Sequence, residues 1–281
     1  MSTSPSQTDS PVVAFIGGGN MARSLIGGMI ARGADPARVR VAEPVEALRQ
    51  SLQADFDVPC FATAGEAVEG ASVWLLAVKP QVMRTVCGEL TAVAQDTRPV
   101  AISVAAGITS GQLSGWLGGD IAVVRAMPNT PALLGAGITG LFANARTDAT
   151  QRAQAATLLD AVGPTVWIED EAQMDAVTAV SGSGPAYVFL LAEAMQAAGV
   201  KQGLPADTAR QLASQTLLGA AKMLTELDEP ADALRKKVTS PGGTTQAAIE
   251  TFEAGGLREL VDRAITAATL RGRELSAAND D

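Results

Sequence analysis

Histidine is absent from the 281-residue chain. This excludes Ser-His-Asp and Cys-His nucleophilic sites and the usual His-containing zinc sites. A cofactor carrying its own reactivity suits such a chain better than hydrolysis does. Cysteine is almost absent too. Cys60 and Cys87 form neither a disulfide framework nor a metal motif, so two reduced thiols are expected. Positive charge is never clustered: no Lys/Arg run exceeds three residues, and the net charge is -9. A nucleic-acid or membrane-binding face is therefore not expected, because phosphate contacts need grouped cations. No stretch of about 20 residues is free of polar breaks, so no transmembrane helix is expected. The apolar segment 11–31 lacks a basic leader and is interrupted by Asn20 and Arg23, so it does not read as an export signal. A cytoplasmic location is expected.

What the chain does have is 47% apolar residues and 28 glycines, the composition of a compact globular protein. Residues 1–10 read as a flexible tail. Short apolar runs at 12–16, 38–42, 58–61, 72–78, 99–104, 121–126 and 165–168 read as buried strands, with 137–142 as an edge strand. Helical segments are expected at 20–31, 44–54, 64–69, 80–93 and 149–161. Strands alternating with helices of this length indicate a doubly wound α/β sheet over residues 11–168. From 169 to 281 the pattern is helical. The segment 205–227 is apolar around most of its circumference, and a helix of that kind needs cover on most faces. A partner subunit is the natural cover, so a homo-oligomer is expected. The acidic run Glu169, Asp170, Glu171 and Asp175 reads as a solvated face with helix capping.

The sharpest motif is Gly17-Gly18-Gly19-Asn20-Met21-Ala22, placed between the first predicted strand and the first predicted helix. In the G-x-G-x-x-A pattern, Gly17 permits the tight turn and Gly19 lets the backbone approach a pyrophosphate. Ala22 lets the helix pack closely on the sheet. The N-terminal amides of the helix then face the phosphates. Glu43, just after the second strand, is placed to accept hydrogen bonds from an adenosine ribose. Its charge favours NAD over NADP, with Arg40 or Lys79 as cations able to offset a 2′-phosphate. Far along the chain, Ser240-Pro241-Gly242-Gly243-Thr244-Thr245 combines a permissive glycine pair with hydroxyls at a helix start. It reads either as a structural turn or as a carboxylate cradle.

These motifs come with three more: Ala77-Val78-Lys79-Pro80, Arg125 with Met127-Pro128-Asn129-Thr130-Pro131, and Ser181-Gly182-Ser183-Gly184-Pro185-Ala186-Tyr187. Taken in order across residues 12–275, they resemble the pyrroline-5-carboxylate reductase family. The resemblance implies an N-terminal Rossmann-type dinucleotide-binding domain followed by an all-helical dimerisation domain, as a dimer or a larger ring of dimers. It implies NAD(P)H-dependent reduction of L-1-pyrroline-5-carboxylate to L-proline, the last step of proline biosynthesis, by hydride transfer to the C=N carbon. By motif, Gly17, Gly19, Asn20, Met21 and Ala22 would hold the cofactor phosphates. Ala77, Val78, Lys79 and Pro80 would lie on the adenosine side, and Ala105, Ala106, Gly107 and Asn129 at the nicotinamide end. Ser240, Gly242, Gly243, Thr244 and Thr245 would receive the substrate, with Thr245 the catalytic hydroxyl nearest the ring nitrogen. Glu43 departs from family members that use NADPH, which commonly carry a small polar or basic residue there. The preference between NADPH and NADH stays open. A β-hydroxyacid dehydrogenase is the first alternative, but segment 175–198 lacks the lysine that class requires. A non-catalytic dinucleotide-binding module is the second.

Overall fold

The computed structural model describes residues 11–278. The expected tail at 1–10 lies outside them. By internal contacts the chain divides into two units. Of the described residues, one holds 11–183 together with 268–278, and the other is Gly184–Ala267.

The first unit is built on a sheet whose strands are β1 (Val13–Ile16), β2 (Val39–Ala42), β3 (Cys60–Phe61), β4 (Val73–Leu76), β5 (Val100–Ser103), β6 (Ala122–Met127), β7 (Thr139–Ala143) and β8 (Thr165–Trp167). Their spatial order is β3-β2-β1-β4-β5-β6-β7-β8, parallel throughout except that β7 runs antiparallel to β6. The segment expected to be an edge strand is therefore internal, and β8 is the edge. Helices α1 (Asn20–Ala31), α2 (Glu46–Phe56), α3 (Ala64–Val68), α4 (Pro80–Thr97), α5 (Ser110–Trp116) and α6 (Ala149–Leu159) supply the crossovers and cover the sheet.

Both faces of the central strands are buried, and this is why their sequences are continuous apolar runs. On β1, Val13 and Phe15 join a core with Leu25, Ile26, Leu52 and Leu158, contributed by α1, α2 and α6. Ala14 and Ile16 point the other way, into a core with Val68, Met83, Leu90 and Leu113 from α3, α4 and α5. Trp74 is fully buried in that second core, and its indole N–H donates to the Ala71 carbonyl at 3.1 Å, so no polar atom is stranded.

Helix α5 was not expected from the sequence. It is short and contains two glycines. Its start is nevertheless marked by a capping box: the Thr109 hydroxyl accepts from Gln112 N, and the Gln112 side chain accepts from Thr109 N. Beyond β8 come α7 (Met174–Val177) and a π-helical turn, Thr178–Gly182, in which Ser183 N donates to Thr178 O at 2.8 Å. The domain boundary expected at 168/169 thus precedes the division at Ser183/Gly184. Residues 169–183 pack with the sheet; a Cβ on Gly140 of β7 would come within 2.4 Å of Val177.

The second unit contains α8 (Gly184–Lys201), α9 (Ala206–Glu226), α10 (Ala231–Lys237), α11 (Thr244–Ala254) and the first half of α12 (Leu257–Ala277). On α9 only Ala209 and Ala213 are buried, while Leu212, Leu218 and Leu224 are each more than half exposed. No residue of α8 is buried, and Phe189 and Leu190 stand in the open. Apolar surface of this extent marks a protein contact. Among the described residues, no helix is long and apolar enough to cross a membrane.

The closeness of α1 to the turn Asp160–Val162 gives a test of packing. A Cβ on Gly28 would lie 2.4 Å from the Ala161 carbonyl oxygen, whereas one on Gly27 would meet only the Phe56 ring edge at 3.2 Å. Replacing a helical glycine by alanine gains about 1 kcal/mol of propensity, but a backbone collision costs about 1–3 kcal/mol or more. Gly28→Ala is expected to lower the stability measured in urea, and Gly27→Ala to leave it near wild type or raise it.

Candidate functional site

The strand order reverses direction between β1 and β4, and ligands of open α/β sheets bind outside the carboxyl ends of the strands at such a point. Gly17 lies there, at φ +104°, and a Cβ on it would come 2.8 Å from the Ala77 carbonyl oxygen. A side chain is thus excluded both by backbone conformation and by space. The turn is pinned to the sheet by Gly17 N donating to Ala42 O at 2.9 Å, and its neighbour loop by Ala77 N donating to Ile16 O at 2.8 Å. Gly19 is the N-cap of α1. It offers no side-chain cap, and nothing lies within 4 Å of where its Cβ would be. The start of α1 is therefore uncapped by any side chain and has open space beside Gly19, as an anion at a helix start requires. Ala22 is fully buried against the sheet, which is the close packing expected of it.

Gly18 is the turn residue that the G-x-G reading passes over. Its Cβ would lie 2.6 Å from Leu52 Cδ1, and its N–H donates to Glu43 Oε2 at 3.1 Å. Glu43 Oε1 accepts from Val45 N at 3.0 Å, and the Glu43 side chain is buried. The carboxylate is a clasp between the end of β2 and the glycine turn. A negative charge at the end of β2 is visible in the sequence, but its direction is not. Arg49 donates to the carbonyls of Glu43 and Pro44 at 2.8 Å each. Arg40 is not placed to offset a phosphate. Its guanidinium stacks on Phe61 and donates to the Glu66 and Glu69 carbonyls. Lys79 is exposed, as the N-cap of α4 with Pro80 in the first turn.

The loop Ala105-Ala106-Gly107 leaves β5 with Ala105 N donating to Ser103 Oγ at 3.3 Å and Gly107 at φ +73°. Asn129, after β6, uses both ends of its amide on the protein: Nδ2 donates to Ser181 O at 3.1 Å, and Oδ1 accepts from Ile138 N at 3.0 Å. It ties its own loop to the π-turn, a kind of helical irregularity that is frequent at functional sites. A Cβ on Gly182 would come 2.5 Å from Met127 Cε, so the end of the Met127 side chain would have to shift to admit one. The acidic run divides in function. Asp170 caps Ala172 N at 2.9 Å as expected, but Glu171 is no solvated carboxylate; it pairs with the buried Arg125 at 2.8 Å.

In the second unit, Ser240–Thr245 forms a tight turn leading into α11. Gly242 has φ +71°, and Gly243 N donates to Ser240 O at 3.0 Å. Gly242 N is taken by the Gln246 side chain at 2.6 Å. The two glycine amides are thus spent within the turn. Ser240 and Thr244 are exposed and Thr245 is half-buried, and α11 starts at an N-cap, Gly243, that supplies no side-chain cap. Lys236 and Lys237 are paired with Asp232 and Glu229 on the surface.

The cysteines stay apart from this chemistry. Burial pushes the Cys87 thiol up to about 12, and burial likewise raises that of Cys60, opposed in part by Arg49. Neither offers a thiolate nucleophile near neutral pH.

A protein from Pseudomonas aeruginosa named pyrroline-5-carboxylate reductase is 51% identical over 268 residues, covering 95% of this chain and 97% of that protein. The chain belongs to the pyrroline-5-carboxylate reductase family. Residues 171–275 match the family described as pyrroline-5-carboxylate reductase dimerisation, and residues 12–107 the family described as NADP oxidoreductase coenzyme F420-dependent. Among solved structures, a pyrroline-5-carboxylate reductase from Coxiella burnetii superposes with a TM-score of 0.93 at 43% identity, covering 95% of this chain and 99% of that one. A Plasmodium falciparum pyrroline carboxylate reductase with NADP bound superposes with a TM-score of 0.82 at 26% identity, covering 95% and 99%. The dimerisation match spans α8 and α9 with their exposed apolar faces.

The Glu43 clasp yields a prediction independent of any ligand. In Glu43→Gln one of the two backbone donors must face an amide NH2 group, leaving a buried N–H unmatched at a cost of about 1–3 kcal/mol. The midpoint of thermal unfolding is expected to fall, and an unchanged midpoint would remove the clasp from the account.

Proposed function

We propose that this chain reduces L-1-pyrroline-5-carboxylate to L-proline with NADH or NADPH, the last step of proline biosynthesis. We propose further that it does so in the cytoplasm as a homo-oligomer, either a dimer or a ring of dimers. The observation that carries the reading is the 51% identity to a pyrroline-5-carboxylate reductase along 95% of the chain. The open start of α1 at Gly19 supports it, since a dinucleotide pyrophosphate fits uncapped amides with free space above them.

In this reading Gly17, Gly19, Asn20, Met21 and Ala22 hold the phosphates. Ala77, Val78, Lys79 and Pro80 border the adenosine and its ribose, and Glu43 shapes that side by fixing the turn from beneath. Ala105, Ala106, Gly107 and Asn129 form the nicotinamide end, Asn129 by fixing its loop. When bound, the reduced nicotinamide supplies the hydride for the C=N carbon. The chain itself binds and aligns. Ser240, Thr244 and the amides opening α11 receive the substrate carboxylate, with Gly242 and Gly243 shaping the turn that presents them. Thr245 orients the ring nitrogen and assists its protonation by a hydrogen bond or through water. A protonated imine is already electrophilic, so a chain without histidine lacks nothing the reaction needs.

Loss of NAD(P)H absorbance with matching proline formation tests the activity, and a purified protein that binds cofactor without turning over would overturn it. Thr245→Ala is expected to lower kcat/KM about 10- to 100-fold, the worth of one positioned hydrogen bond; an unaltered value would remove Thr245 from the site. The ratio of kcat/KM with NADPH to that with NADH reads the influence of Glu43. Glu43→Ser removes the clasp together with its buried negative charge on the adenosine side, so the ratio is expected to rise about tenfold.

A further inference from the structure

We infer that Glu171 is a positioning residue for the nicotinamide end of the cofactor, acting through the two loops it ties together; this rests on the dinucleotide reading above. Glu171 belongs to neither the glycine turn nor the Ser240–Thr245 loop. It sits in a short 3-10 turn, Glu171–Gln173, just beyond β8. Its Oε1 accepts from Arg125 at 2.8 Å and from Ser110 N at 2.6 Å, and its Oε2 accepts from Ser110 Oγ at 2.6 Å.

The partners sit close in sequence to the loops in question. Ser110 opens α5 directly beyond the loop that contains Ala105, Ala106 and Gly107. Arg125 lies near the end of β6, the strand that runs into Met127, Pro128 and Asn129. The same two strands are in register there, Ser103 opposite Arg125, and Ser103 Oγ accepts the Ala105 amide. One carboxylate thus anchors both loops assigned to the nicotinamide end. Asn129 adds a second tie from the same loop to the π-turn at Ser181.

The Arg125 side chain is only 7% exposed and that of Glu171 26%. Removing the carboxylate leaves a nearly buried cation and the α5 amide without their shared acceptor, and the loops lose their common anchor. An ion pair that merely held the fold together would act on every part of the cofactor site alike. A positioning residue acts on the nicotinamide end alone.

Equilibrium binding to the full-length protein separates these roles, with NADH and NADPH compared against ADP-ribose and 2′-phospho-ADP-ribose, which lack the nicotinamide. Glu171→Gln is expected to raise the Kd of the whole cofactors about tenfold, while the Kd of the fragments moves less than about twofold. Equal weakening of whole cofactors and fragments, accompanied by a lower Tm, would reduce Glu171 to a structural ion pair and overturn the inference. Wild-type affinity for all four ligands would overturn it as well. Should Glu171→Gln fail to fold, Arg125→Lys, which keeps the charge but alters its reach, is read by the same comparison. A wild-type protein that binds the whole cofactors yet fails to reduce pyrroline-5-carboxylate would overturn the proposed activity and leave this measurement readable.

Discussion

The near-contact between Gly17 and the Ala77 carbonyl is the constraint on which the first unit depends. Two chains leaving adjacent parallel strands approach so closely that no Cβ fits between them, and the backbone of Gly17 must take a positive φ to turn away. That approach puts the start of α1 beside the loop into α4 at the carboxyl edge of the sheet. Glu43 completes the geometry from the other side by gripping Gly18 and Val45. A carboxylate so engaged orders the glycine turn on its own, so its ordering entropy is spent at folding.

A different balance governs the second unit. Its helices carry more large apolar side chains than their own packing covers, with Phe189, Leu190, Leu212 and Leu224 all largely open. A single chain exposing such a surface is prone to association. A family defined by its dimerisation over residues 171–275 supplies a physical reason for the excess. Cover by a second copy would make stability and assembly one equilibrium, dependent on protomer concentration.

Much of the fold was legible because burial on both faces leaves a plain signature. The runs Val13–Ile16, Val73–Leu76 and Val100–Ser103 are apolar at every position except the final serine, and the glycine turn follows the first of them. The tight turn at Gly17 and the close packing of Ala22 followed from residue size alone. Segments that depend on partners distant in sequence were not legible. Segment 137–142 reads as an edge strand until β8 is seen to pair with β7. The π-turn looks like a glycine-rich break, because the i to i+5 bond from Ser183 to Thr178 has no counterpart in residue pattern. Helix α5 did leave a signal, the Thr109-x-x-Gln112 capping box, but its glycines concealed it.

The same distinction separates the carboxylates. Asp170 and Glu171 are neighbours with the same charge, and an acidic run gives no reason to treat them differently. Asp170 finds its partner two residues on, at Ala172, and its role as a cap is local. Glu171 finds its partners 46 and 61 residues away, at Arg125 and Ser110. Local capping is written in the sequence because both partners are in view at once. A clasp closed across a sheet becomes visible only after the strands have been ordered, and for that reason the polar groups that set the shape of a site are harder to read than the glycines that make room for it. Gly272 shows the limit from the other direction. Its lack of a side chain is plain, but the neighbour it accommodates, Asp175 with Oδ1 2.9 Å from the missing Cβ, belongs to a helix almost a hundred residues earlier.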